Sequence, residues 1–149
     1  NFMNLQDFFA DTVLCWLATA NKKGEPNVSP KEMFLIFDEE ELMIANIASP
    51  KSIMNIKENP YVCVSGVNIW TQKGIQCKGE AQIISPQQKE FRDFEALFRH
   101  SNKGRFRIQH IIRIKVTQKK QILAPSYLFY PNTTEKEQKQ ASRKTYLPN

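Results

Sequence analysis

A chain of 149 residues with a 41% hydrophobic share, ten of its residues phenylalanine, has the apolar material for one domain with a real core and does not suggest two. The net charge of +6 comes from lysines and arginines scattered along the chain, with only short clusters such as Lys22-Lys23 and Lys119-Lys120. No helix-turn-helix, zinc-finger or RNP-like aromatic motif accompanies them, so the charge points to solubility or a phosphate-bearing small molecule before nucleic acid.

Three cysteines in unrelated contexts, with no Cys-x-x-Cys, are expected to be reduced thiols in core positions of a cytoplasmic protein. No apolar run approaches the length of a membrane span, and no charged-then-apolar leader opens the sequence, so neither membrane nor export is expected.

Leu5 to Ala10 reads as a short helix with Leu5, Phe8 and Phe9 on its apolar side. Val13 to Thr19 is a nearly continuous apolar run, short enough for a buried strand. A turn by composition, Asn21-Lys22-Lys23-Gly24-Glu25-Pro26, joins it to a second strand over Asn27 to Phe37. Asp38 to Glu41 turns the chain into a strand over Leu42 to Ile47. Ser49 then caps a helix with Pro50 at its first position and Ile53 and Ile56 on its apolar face, and Asn59-Pro60 ends it.

Tyr61 to Val67 is another buried strand, and a loop over Asn68 to Gly74 follows. Ile75 to Ile83 alternates apolar and polar, as a strand with one wet face should. Ser85-Pro86-Gln87-Gln88 has the Ser-x-x-Gln pattern of a capping box, and Phe91, Phe94, Leu97 and Phe98 continue at helical spacing. Arg107 to Val116 is the last long strand, with Ile108, His110, Ile112, Ile114 and Val116 on one face. Gln121 to Tyr130 looks extended, and Thr133 to Tyr146 reads as a polar helix capped through Thr134 and Glu137.

Hairpin-like connections between about six strands predict a mainly β fold with short helices, an antiparallel Greek-key barrel. Residues 1–130 form that domain. Residues 131–149 are a polar tail, expected to be helical and either loosely attached or laid across a partner subunit.

Few kinds of chemistry are open to the side chains themselves. The two histidines, His100 and His110, lack ligand-like spacing, so no metal site is expected, and His110 reads as a satisfied core residue. There is no nucleophile elbow, P-loop or Gly-x-Gly-x-x-Gly, and five glycines cannot wrap a nucleotide. A bound cofactor would have to supply the reactivity.

Two stretches suit such a cofactor. The helix start after Ser49 offers free N–H groups and a partial positive charge, and Lys51, Ser49 and Ser52 could complete a phosphate site. In Asn27-Val28-Ser29-Pro30-Lys31-Glu32-Met33-Phe34, Pro30 cannot donate to a ladder. It marks an edge or bulge where a planar ring with its own donors and acceptors could lie. The alternative is an ordinary edge strand with exposed charges.

In these stretches the sequence resembles the pyridoxamine 5'-phosphate oxidase-like, FMN-binding split-barrel proteins. The likeness is carried by Leu17 to Pro26, by Ser29 to Phe34, and by Ile44-Ala45-Asn46-Ile47-Ala48-Ser49-Pro50-Lys51-Ser52 with Asn59-Pro60. Gln72-Lys73-Gly74 and Lys78-Gly79-Glu80-Ala81 extend it. The resemblance implies a split barrel that dimerises with FMN at the subunit interface. By that analogy Ser49, Lys51, Ser52 and Asn55 hold the phosphate. Pro30, Lys31, Glu32 and Met33 lie along the isoalloxazine, with Asn46 and Ile47 beneath it. Trp70, Gln72, Lys73 and Gly74 approach from the loop, of the same or of the other subunit. The family's Trp- and Arg-rich C-terminal segment has no counterpart after Trp70, which puts vitamin B6 oxidation in doubt. The implied function is an FMN-dependent oxidoreductase with an unidentified small substrate. A flavin carrier or electron-transfer protein is the alternative, and a deazaflavin in place of FMN remains open.

Overall fold

The computed structural model describes residues 4–147; residues 1–3 and 148–149, the outer ends of the two expected segments, lie outside it. Seven antiparallel strands form one sheet: β1 (Cys15–Ala20), β2 (Pro26–Lys31), β3 (Phe34–Asp38), β4 (Glu41–Asn46), β5 (Tyr61–Asn68), β6 (Lys73–Ile84) and β7 (His110–Leu123). Their order across the sheet is β2-β1-β5-β6-β7-β4-β3. The helices are α1 (Leu5–Ala10), α2 (Pro50–Glu58), α3 (Phe91–Leu97), α4 (Arg99–Asn102), α5 (Pro125–Phe129) and α6 (Glu135–Tyr146).

The predicted mainly β architecture is present with one more strand than expected, because Asn27 to Phe37 is two strands. Consecutive β2 and β3 sit at opposite edges of the sheet, and the bend at Glu32-Met33 carries the chain between them. A sheet whose two edges are joined by two residues must curl into a barrel, with a seam where β2 meets β3 and β4. Pro30 pairs with Trp16 on β1 and has no N–H to offer on its own account, which suits a strand that ends at this seam. Past the bend, the Met33 carbonyl accepts from Ala45 N–H at 2.9 Å and fastens the chain to β4.

The barrel interior is filled by Leu17, Leu42, Ile44, Val64, Ile75, Ile112 and Ile114, closed at one end by Leu5 and Phe9 of α1. Each such side chain contributes roughly 1.5–3 kcal/mol by leaving water. Outside the barrel, Met43, Ile84 and Ile111 pack under Phe91 and Phe98 of the α3–α4 segment. Strand β7 is therefore buried on both faces near its start. The expected single apolar face is corrected, since Ile108 precedes the strand and belongs with Ile111.

Other expectations are also revised. Ser85 does not open a helix: its N–H donates to Gln88 Oε1 at 2.7 Å, and the segment closes as a turn that delays α3 to Phe91. Leu97 is 48% exposed and falls off the aromatic stripe. Gln121 belongs to β7, and Pro125 begins α5 where an extended run was expected; proline at a first helical position loses no bond.

The tail helix α6 is capped as predicted, Thr134 Oγ1 accepting from Glu137 N–H at 3.1 Å. It docks on its own chain. Ser142 donates to the Trp70 carbonyl at 2.9 Å, Gln72 Nε2 reaches the Ser142 hydroxyl at 3.4 Å, and Lys73 pairs with Glu135 at 3.1 Å.

Candidate functional site

The start of α2 faces the seam. Ser49 is its N-cap and Pro50 its first residue, but the Ser49 hydroxyl makes no capping bond to the helix amides. It bonds Ser52 Oγ at 2.9 Å, and Ser52 in turn bonds Ser29 Oγ on β2 at 3.1 Å. Three hydroxyls thus stand in line beside a helix start that no side chain caps, a setting suited to an anion with several acceptor oxygens. Lys51 is exposed on the first turn and pairs with no carboxylate among the described residues.

Lys31, the last residue of β2, is only 7% exposed, and its ammonium donates to Asn46 Oδ1 at 2.7 Å across the seam. Asn46, 2% exposed, donates its own amide to the Ser49 carbonyl at 3.2 Å, which fixes its oxygen toward Lys31. Burial pushes the Lys31 pKa below the ordinary value of 10.5, with Cys15 opposing that shift. A buried ammonium whose bonded partner is a neutral amide is short of negative charge.

Pro30, Lys31, Glu32, Met33, Ile47 and Ser49 line one cavity of about 370 Å³, to which Ser29, Ala45, Ala48 and Phe106 also contribute. Asn46 and Ser52 adjoin it through the hydrogen bonds just described. Phe106 was not anticipated; it comes from the loop before β7, and its only signal in the sequence is its place between Arg105 and Arg107. No group of three or more potential metal ligands gathers among the described residues.

Other expected site residues are elsewhere. Asn55 is buried and donates to Thr19 Oγ1 at 3.0 Å, so it ties α2 to β1. Trp70, Gln72, Lys73 and Gly74 occupy the β5–β6 turn and its exit, and none lines the cavity of its own chain. Gly74 has a packing reason to be glycine, because a Cβ there would sit 2.1 Å from the Gly66 carbonyl oxygen. His110, expected to be a satisfied core residue, pairs with Asn46 in the ladder and has a buried Nδ1 without a partner. Burial, and then Lys57, hold its pKa below the usual 6.5.

A second, larger hollow of about 770 Å³ lies between β1, the β5–β6 turn and α6. It includes Trp70 but not Ser29, Ser49, Ser52 or Lys31. Only the smaller one joins an uncapped helix start to a buried ammonium, the two features that suit an anion.

Seven antiparallel strands closing at a seam beside a serine-rich helix start define a split-barrel protein. The family model for pyridoxamine 5'-phosphate oxidase matches residues 3–122, and the chain belongs to that family. Among solved structures, a putative pyridoxamine 5'-phosphate oxidase from Lactobacillus delbrueckii superposes with a TM-score of 0.67 at 17% identity, covering 78% of this chain and 89% of its own. An FMN-binding protein from Syntrophomonas wolfei gives 0.67 at 14% identity, with 80% and 84% covered. The heme storage protein HutZ from Vibrio cholerae gives 0.63 at 17% identity, with 81% and 95% covered. At such identities the likeness shows the fold. No curated protein matches by sequence.

Proposed function

We propose that this chain binds flavin mononucleotide at the seam and works as an oxidoreductase on a small substrate. The observation that carries the reading is the buried Lys31 ammonium, bonded to neutral Asn46, in a cavity that runs to the uncapped start of α2. A phosphate dianion would be held by the first-turn amides of α2, by the hydroxyls of Ser49, Ser52 and Ser29, and by Lys51. Met33, Ile47, Ala45 and Phe106 supply an apolar wall for a planar ring, and Lys31 a positive charge at its polar edge. When bound, the flavin supplies hydride and electron transfer; the protein orients it, excludes water and biases its charge. Lys31 would favour the reduced, anionic form.

Trp70, Gln72, Lys73 and Gly74 would reach a flavin only from a second subunit, so the reading includes a homodimer. The exposed side chains Val28 and Pro30 on β2 and Tyr61 on β5, the two strands that flank β1, are the surface that supports it. Free thiols at Cys15, Cys63 and Cys77 fit a reducing, cytoplasmic setting. No helix among the described residues is long and apolar enough to cross a membrane.

One observation favours a second reading. The cavity is lined by no histidine, tyrosine or cysteine, so apart from Lys31 and Glu32 it offers no group for proton transfer to a substrate. A carrier or electron-transfer protein needs none. An absorbance spectrum of the purified protein tests the shared part: flavin bands, with FMN identified after heat release, are expected. A colourless protein that takes up neither FMN nor a deazaflavin overturns it. Bleaching by a reduced nicotinamide then separates the enzyme from the carrier.

A further inference from the structure

The seam cavity opens beside a loop that the flavin reading leaves unused apart from Phe106. That loop, residues 99–107, carries Arg99, His100, Lys103, Arg105 and Arg107, and no acidic residue occurs between Glu95 and Glu135. All five basic residues are exposed, and none takes part in an ion pair among the described residues. Phe106 stands among them, 49% exposed, with the Arg105 guanidinium 5.2 Å from its ring centre. The same Phe106 lines the seam cavity, where Glu32 is the one carboxylate on the wall.

The loop has a built shape. Phe98 and Ile108 fix its two ends in the outer core. Asn102 spans it, donating from Nδ2 to the Phe106 carbonyl at 2.8 Å and accepting from the Phe106 N–H at 3.0 Å. Lys103 and Gly104 turn between them in the left-handed region, at φ 51° and 71°. A lysine held there marks a conformation that its surroundings enforce. None of the five basic residues lines either hollow described above, whereas sites for small molecules are concave. An exposed aromatic ring among arginines has instead the composition of a protein contact. One ring is a thin platform for nucleic acid, which binds along a series of stacking side chains.

We propose that residues 99–107 dock a small acidic electron-carrier protein at the mouth of the seam cavity, its carboxylates on Arg99, Lys103, Arg105 and Arg107 and its apolar contact on Phe106. The nature of the carrier rests on the flavin reading; the docking surface does not. Such carriers meet their partners through small, transient, electrostatically steered contacts, to which a fixed cluster of unpaired cations is suited. Each reduced carrier gives up one electron. Two such electrons, with one proton from water that binds the ring, convert bound flavin to its reduced, anionic form, and no other bond is made. The loop lies on neither β2 nor β5, whose exposed residues support the homodimer, so the two contacts use different residues.

The purified protein is titrated by calorimetry with an acidic plant-type [2Fe–2S] ferredoxin and an acidic flavodoxin, with basic cytochrome c as control. At least one acidic carrier is expected to bind with a Kd of about 1–50 μM in low salt and about tenfold more weakly in about 0.2 M NaCl. Cytochrome c does not bind. Arg105→Gln/Arg107→Gln and Arg99→Gln/Lys103→Gln each weaken the carrier about five- to tenfold. Lys22→Gln/Lys23→Gln removes the same charge from the β1–β2 turn and leaves binding within about twofold. All of these side chains are exposed, so the variants fold; circular dichroism checks this. Flavin content, read from absorbance, stays unchanged in the loop variants, and a fall assigns the arginines to the cofactor and overturns the proposal. Equal weakening by the Lys22 and Lys23 variant shows net charge alone and also overturns it. So does failure of both acidic carriers to bind, and a loop-dependent shift of single-stranded DNA in that case gives the loop to nucleic acid. A colourless preparation that still binds a carrier through the loop removes the flavin reading and supports the docking surface.

Discussion

The Lys31 ammonium and the Asn46 amide oxygen are 2.7 Å apart, and that bond crosses the seam of the barrel between β2 and β4. It joins the two stretches singled out in the sequence, which are fifteen residues apart in the chain. Its cost and its use are different matters. In the protein alone it buries a positive charge on a neutral partner; beside an anionic ligand the same charge becomes an attraction.

That difference predicts a pH dependence. The folded protein releases the Lys31 proton below 10.5, while the unfolded chain keeps it to 10.5. Below the folded pKa both states are charged and the full burial cost is present. Between the two values the unfolded state holds more protons, so raising the pH stabilises the fold through this group. The flavin-free protein should therefore gain stability relative to Lys31→Met as pH approaches 10.5, read from paired thermal melts. Parallel pH curves would remove the assignment. In the flavin-loaded protein, Lys31→Met should lower the midpoint potential, and an unchanged potential would show that Lys31 does not face the ring.

Lys51→Ala and Ser52→Ala should separate charge from packing at the start of α2. Lys51 is exposed, so its loss leaves the melting temperature almost unchanged and weakens FMN by about 1–2 kcal/mol, some five- to thirtyfold. Ser52 is fully buried between two hydroxyls, so its loss costs about 1–2 kcal/mol of stability as well as affinity. Equilibrium dialysis with FMN, run beside urea unfolding, distinguishes the two.

Gly74→Ala should destabilise the protein by several kcal/mol, because the new methyl would meet backbone at 2.1 Å and neither strand can yield cheaply. A melt within a degree or two of the parent would mean that the β5–β6 hairpin is more pliant than its packing implies.

Ser142→Val should loosen the tail helix. It leaves the Trp70 carbonyl without its donor and sets an apolar group between Gln72 and Gln138. Amide exchange over residues 135–146 is expected to rise by roughly tenfold while the barrel strands stay protected, since that helix has few other buried contacts.

Much of this was legible in the sequence, and for local reasons. Ser49-Pro50 and Asn59-Pro60 fix the ends of α2 through proline's missing N–H and restricted neighbour, without regard to what lies around them. Thr134 and Glu137 start α6 in the same way, and apolar runs of strand length set most of β1, β4 and β5. The barrel follows from the alternation of such strands with turns. The serines and lysine of the α2 start are neighbours in the chain, so a pattern suffices to bring them together.

Tertiary structure decided everything that depends on two distant segments. A strand pattern through Asn27 to Phe37 does not reveal that two residues inside it bend the chain from one sheet edge to the other. Only closure of the sheet buries Lys31 and gives it Asn46. Pro125 to Phe129 and Ser85 to Gln88 went to a helix and a turn because side-chain bonds and docking outweigh weak local preference. The polar tail looked unable to bury itself; two hydrogen bonds at Ser142 and the Lys73–Glu135 ion pair dock it beside the Trp70 turn, and no periodicity in the sequence announces a partner surface made by another part of the chain.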